Sequence, residues 1–232
     1  MKYADAFFKH KKYQSHKLEH YFPIYDELMG KFYGKNINYL EIGIAKGGSL
    51  DVAKNIFGDK SKIMGCDILN DCKKLEQENI AKVFIGSQSD DKIIDEIVDY
   101  AKEFDIILDD GSHFHYDMIQ TFIKLFPYLN EGGVYMIEDT HTQHSYKHKV
   151  YHNGIDCYDY FTSLSRKLND FYIGRYRDAV KRYRNKNFEV REGEEEIADF
   201  TQQISSITFY EGLIAIKKNT RPKPHILKNF KE

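Results

Sequence analysis

Two short stretches pair acids with a following histidine: Asp109-Asp110-Gly111-Ser112-His113 and Glu138-Asp139-Thr140-His141. Each follows an apolar run of strand length, Phe104–Leu108 and Val134–Ile137. The carboxyl end of a central strand is where open α/β sheets bind ligands. Four carboxylates gathered at one such edge repel one another unless a cation neutralises them. Hard oxygen donors without a cysteine cluster suit Mg2+, or Mn2+. Some of these acids could instead cap helices or hold a cofactor. One pair alone would favour that use, and two pairs on adjacent strands favour a metal.

A second set surrounds Tyr39–Leu50, Y-L-E-I-G-I-A-K-G-G-S-L. An apolar strand meets Gly43 and Gly47, and Ser49 is suited to cap the helix that follows. The glycines let a ligand press against bare backbone, and the helix start offers free N–H groups. The spacing is Glu41-x-Gly43-x-x-x-Gly47, not G-x-G-x-x-G. An acid inside the strand repels a pyrophosphate but not a cationic ligand. Asp67 ends the next strand, Lys62–Asp67, about twenty residues beyond the glycines, where a carboxylate can accept bonds from both ribose hydroxyls. Ser87 and Gln88 follow a third strand, Val83–Ile85. They can bond an adenine edge, or the loop can serve only to cap the next helix through Ser89 or Asp90.

The elements that must position these residues alternate strand and helix. The pattern predicts an α/β fold: a Rossmann-like doubly wound sheet, mostly parallel, closed by a C-terminal antiparallel hairpin of Ile204–Tyr210 and Leu213–Lys217. A helix is expected over Tyr116–Leu129, stopped by Gly132-Gly133. Residues 1–37 are expected to form a helical cap with a helix over Leu18–Phe32. His16, His20 and Tyr21 there either reach over a cofactor or cover the sheet edge. Residues 140–200 are expected to form a lid, whose His141, His144, His148, His152 and Tyr146 are substrate-contact candidates. Within it, Gly174–Arg191 is basic and Glu192–Glu196 reverses the sign. A solvated helix and charged turn explain this, and a rim for a phosphorylated substrate is the sharper alternative.

Composition excludes several classes. The 232 residues suit a single domain, 1–232, with a sizeable core. A net charge of −2 carries no nucleic-acid footprint. No apolar run reaches membrane-span length and the N-terminus has no signal-peptide pattern, so a cytoplasmic protein with no membrane partner is expected. Cys66, Cys72 and Cys157 lack metal-site spacing and read as reduced thiols. The expected partner is a small molecule. Oligomeric state stays open, a homo-oligomer included.

The glycine stretch resembles the first motif of class I S-adenosylmethionine (SAM) methyltransferases. L-D-D-G-S-H, then L-F-P-Y-L-N-E-G-G-V-Y-M-I-E-D-T-H, resembles the metal-dependent sugar O-methyltransferases of the mycinamicin and macrocin type, and I-x-S-I-x-F-Y-E-G-L-I-A-I also fits. The likeness runs roughly from Tyr21 to Lys217. It implies SAM and Mg2+ (or Mn2+) as cofactors and a carbohydrate hydroxyl as acceptor, with relatives in capsule and polysaccharide clusters. It also implies Asp110, Glu138 and Asp139 as metal ligands, His113 as general base, and Glu41, Gly43, Asp67, Gln88 and Asp109 in the SAM site. The resemblance does not extend to the long N-terminal domain of the mycinamicin enzyme or to the segment after His141, so the antibiotic acceptor is not implied. An NAD(P)-dependent Rossmann oxidoreductase shares the sheet and the ribose acid, but it has no use for four clustered acids. A methyltransferase acting on a phosphorylated non-sugar metabolite is a further alternative.

Overall fold

β1 (Asn38–Ile42) alternates its side chains between two buried faces. Tyr39 and Glu41 share one face, while Leu40 and Ile42 pack into the opposite core. β1 lies between β2 (Lys62–Asp67) and β4 (Phe104–Asp109), parallel to both. β3 (Lys82–Ile85) flanks β2, and β5 (Leu129–Ile137) flanks β4. A hairpin of β6 (Ile204–Tyr210) and β7 (Leu213–Lys218) then adds antiparallel to β5. The computed structural model describes residues 2–10, 12–144, 156–169 and 199–222. Its sheet has seven strands in the order β3-β2-β1-β4-β5-β7-β6. The chain turns outward in opposite directions from β1 and β4, and that switch point opens a crevice.

Helices cover both faces. α1 (Tyr3–Lys9), α2 (Tyr21–Met29), α3 (Gly48–Ile56) and the short α4 (Lys74–Gln77) pack on the Tyr39 side. α5 (Asp91–Ala101), α6 (His115–Leu125) and α7 (Cys157–Arg166) pack on the Leu40 side. Asp90 caps α5 through the Lys92 N–H, as its type suggests.

Three expectations are corrected. Gly47, not Ser49, caps α3: its φ of +82° starts the helix at Gly48, and the Ser49 hydroxyl turns inward instead. α6 ends at Leu125, and Asn130–Gly133 are no helix stop but part of β5. Gly132, at φ +79°, lets the strand absorb the register shift between Phe104↔Leu129 and Ile106↔Val134. The N-terminal helix begins at Tyr21 rather than Leu18, so residues 12–20 form an arm without helix or strand that leads through a turn into α2. No helix among the described residues is long and apolar enough to cross a membrane.

Candidate functional site

At the carboxyl ends of β1 to β4 lies a cavity of about 250 Å3, lined by Gly43, Asp67, Ile68, Leu69, Ser87 and Gly111 among others. Gly43 is at φ +80°, and a Cβ there would fall on the Asp110 carbonyl oxygen. Glycine is therefore required for β1 and β4 to end side by side, which the Asp110 N–H bond to the Ile42 carbonyl (2.9 Å) fixes. Asp67 holds the turn after β1: one oxygen accepts from the Ile44 and Ala45 N–H groups (3.0 and 2.8 Å), the other from Leu69 N–H (2.9 Å). An ionised carboxylate has about four acceptor positions, so Asp67 keeps capacity for a ligand hydroxyl.

Gln88 and Asp109 form the floor. Gln88 Nε2 donates to both Asp109 oxygens (3.0 and 3.2 Å) and to Thr121, while its Oε1 accepts from Ser112 N–H (2.7 Å). Tyr135 adds a hydroxyl to Asp109 at 3.2 Å. Burial pushes the Asp109 carboxyl up to about 7, against these donors. Its bonds make it a brace beneath the cavity. Ser87 lines the cavity directly and bonds Ser89.

Glu41 is fully buried under the glycine turn. Ser49 Oγ (2.5 Å) and Tyr39 OH (2.9 Å) donate to its two oxygens. Burial raises its pKa, and Lys17 is the strongest opposing influence. A smaller cavity of about 170 Å3 lies over it, walled by Gly43, Ala45, Gly48 and Ser49 and by Gln14–Lys17 of the arm.

Beside this lies the acid cluster. Asp110, His113 and Asp139 each bring a ligand atom within 4.8 Å of the others. His113 and Asp139 both adopt left-handed backbone, φ +58° and +54°. Non-glycine residues held there store strain of order 1–3 kcal/mol each and persist where the surroundings over-determine them. His113 Nε2 stands 3.9 Å from Asp139 Oδ2, and its Nδ1 is buried with no hydrogen-bond partner among the described residues. The two carboxylates are oxygen donors that fit a hard divalent cation, with the His113 imidazole beside them. Tyr21 OH bonds Asp139 (2.9 Å) and the Gly212 carbonyl (2.9 Å), so Tyr21 belongs to this cluster and not to the Asp67 cavity. His141 is half-exposed, 3.9 Å from the same carboxylate. The His144 side chain and Tyr146 lie outside the described residues, as do His148, His152, Gly174–Arg191 and Glu192–Glu196.

Glu138 is directed elsewhere. Tyr25 OH bonds one of its oxygens, and Lys17 Nζ bonds the other at 2.8 Å. Lys17 also reaches Asp110 Oδ2 at 2.6 Å and lies 3.9 Å from Glu41. Burial pushes the Glu138 carboxyl up, and Lys17 is the first influence against it. Burial alone would push the Lys17 ammonium down, but Glu138, Asp110 and Glu41 hold it well above its ordinary range. Neither Lys17 nor Tyr25 stands in a sequence motif. The only signal for Lys17 is the demand of the acids for positive charge.

Comparison with solved structures gives the architecture. The MycE methyltransferase from the mycinamycin biosynthetic pathway, in complex with Mg and SAH, superposes with a TM-score of 0.68 over 97% of this chain and 56% of its own, at 23% identity. Its complex with Mg, SAH and mycinamycin VI superposes at 0.70, covering 95% of this chain and 54% of its own, at 21% identity. The fold is that of a class I methyltransferase.

Within that methyltransferase fold, the sequence is homologous to curated sugar O-methyltransferases. Mycinamicin VI 2''-O-methyltransferase of Micromonospora griseorubida is 34% identical over 131 residues, 53% of this chain and 32% of that protein. Demethylmacrocin O-methyltransferase of Streptomyces fradiae is 36% identical over the same length and shares. An 8-demethyl-8-alpha-L-rhamnosyl tetracenomycin-C 2'-O-methyltransferase of Streptomyces olivaceus is 31% identical over 131 residues, 53% of this chain and 34% of that protein. The matches thus span about a third of each relative's length. No family model matches the sequence.

Proposed function

We propose that this chain is a SAM-dependent, metal-assisted O-methyltransferase acting on a hydroxyl of a sugar or glycoside-type small molecule. The observation that carries the reading is the juxtaposition, across the close approach of Gly43 to Asp110 at the ends of β1 and β4, of the ligand cavity over Asp67 with the Asp110–His113–Asp139 cluster. Homology to relatives named for methylating mycinamicin VI, demethylmacrocin and a rhamnosyl tetracenomycin supports the acceptor class and does not favour a nicotinamide oxidoreductase. Acceptors in capsule or other polysaccharide biosynthesis fall within the proposed class.

Each residue then has a task. Asp67, Ser87 and the bare backbone at Gly43 would bind SAM, which supplies the methyl group. Gln88 and Asp109 keep the cavity floor rigid. Asp110 and Asp139 would hold Mg2+ or Mn2+, and Glu138 joins them only when freed from Lys17. Bound there, the metal supplies a Lewis acid that lowers the pKa of an acceptor hydroxyl. His113 takes the hydroxyl proton. Tyr21 fixes the Asp139 carboxylate, and His141 borders the acceptor side. The protein otherwise contributes orientation of the oxygen in line with the methyl.

The test is to incubate the chain with SAM, Mg2+ and a panel of free, nucleotide-linked and glycosidic sugars, and to follow S-adenosylhomocysteine. Acceptor-dependent product that disappears with a chelator is expected. Product of equal yield in the presence of chelator would remove the metal from the reading, and no product with any sugar, but turnover of a phosphorylated non-sugar acceptor, would replace the substrate class.

A further inference from the structure

Lys17 is the one described cation that enters the acid cluster, and it enters from the arm between α1 and α2. Its side chain is 3% exposed and ligates two carboxylates, Asp110 at 2.6 Å and Glu138 at 2.8 Å. A divalent ion held by Asp110 uses the same carboxylate. Two cations sharing it in a desolvated site repel strongly, since Coulomb energies rise as the effective dielectric falls. Glu138, bonded by Lys17 and Tyr25, is moreover closed to a metal while Lys17 stays.

We propose that Lys17 is a resident counter-cation of the cluster, and that a divalent metal loads by displacing it together with the arm of residues 12–20. This rests on the metal-assisted reading above. The arm is built to leave. Apart from a turn just before α2 it has no regular structure, and its other polar anchors to the rest of the protein lie at the surface: Lys12 (2.7 Å) and Tyr13 to Glu78, Lys46 to Gln14 at 2.6 Å, and His20 to the Glu211 carbonyl at 3.2 Å. Exposed pairs of this kind hold weakly. It packs through Tyr13, which lies partly buried against the core, and through Gln14 and Ser15, so close to Gly48 that a Cβ there would strike them 2.6 Å away. The same arm walls the cavity over Glu41, so its withdrawal also opens the passage between the SAM cavity and the acids. Before metal arrives, Lys17 balances charges that would otherwise repel. Afterwards the metal takes over that balance and Glu138 is released to it.

The test is direct Mn2+ binding, followed by the electron paramagnetic resonance signal of free Mn2+, in wild type and Lys17→Met. Lys17→Met is expected to bind Mn2+ at least ~10-fold more tightly, because the competing charge is gone. Equal or weaker binding overturns the proposal while leaving the metal-assisted reading intact. Absence of Mn2+ binding by both proteins overturns both. Removing one partner of a buried pair can prevent folding, so the wild-type protein carries a second readout. Amine-reactive footprinting with mass spectrometry should find Lys17 protected without metal and labelled at least ~5-fold more with saturating Mn2+, as burial gives way to solvent. Continued protection of Lys17 with Mn2+ bound overturns the proposal.

Discussion

The two halves of the cleft are prepared in opposite ways. The half over β1, β2 and β3 is an open cavity with a braced floor, its acid Asp67 already satisfied by backbone N–H groups. The half at the ends of β4 and β5 is an excess of carboxylate closed over by a lysine from the N-terminal arm. The first half is rigid and needs only its ligand. The second half is held by charge, and its geometry depends on which cation is present. On the proposed function, this contrast makes cofactor binding and acceptor activation separable: substitutions on one side should leave the other's readout standing.

The largest separation is expected at the acid half. His113→Ala and Asp139→Ala should each lower kcat by at least ~10²-fold while SAM binding persists. Turnover near wild type in either would remove that residue from the chemistry, and loss of SAM binding would merge the two halves. Gly43→Ala should break both halves together. Left-handed backbone and collision with the Asp110 carbonyl predict a loss of about 3 kcal/mol in stability, measured by chemical denaturation. On the cavity side, Asp67→Asn should weaken SAM binding roughly 10-fold, the worth of a bond to a charged acceptor, with little change in kcat at saturating SAM. The smallest effect concerns the thiols. Burial pushes Cys66 and Cys157 up to about 12 and Cys72 to about 11. The protonated form therefore prevails at pH 8, and the native protein should resist a thiol reagent that labels all three on unfolding. Rapid labelling of the native chain would mean that the cores beneath both halves open readily.

The same contrast explains what the sequence disclosed. The cavity half is local: one apolar strand runs into Gly43 and the next ends in Asp67, so these two residues and the mostly parallel sheet with its terminal hairpin were legible from spacing. The paired acids were legible for the same reason, each standing at the end of its own apolar run. Lys17 and Tyr25 were not, because they meet Glu138 from more than a hundred residues away in sequence, and no local pattern records that meeting. Tyr21 was legible as a site residue but not as a partner of Asp139. The start of β5 was hidden because Gly132-Gly133 after a helix reads as a stop, whereas here the glycine eases a register shift inside the strand. Ser49 misled similarly: a good cap residue two positions too late, it serves Glu41 instead.

The central claim is that the cavity over Asp67 takes SAM. Calorimetric titration of the purified chain with SAM and with NAD+, each with and without Mg2+, tests it most directly. SAM binding under both conditions with NAD+ silent is expected. NAD+ binding with SAM silent would contradict it, and would leave the paired acids and their lysine to be explained by some other chemistry.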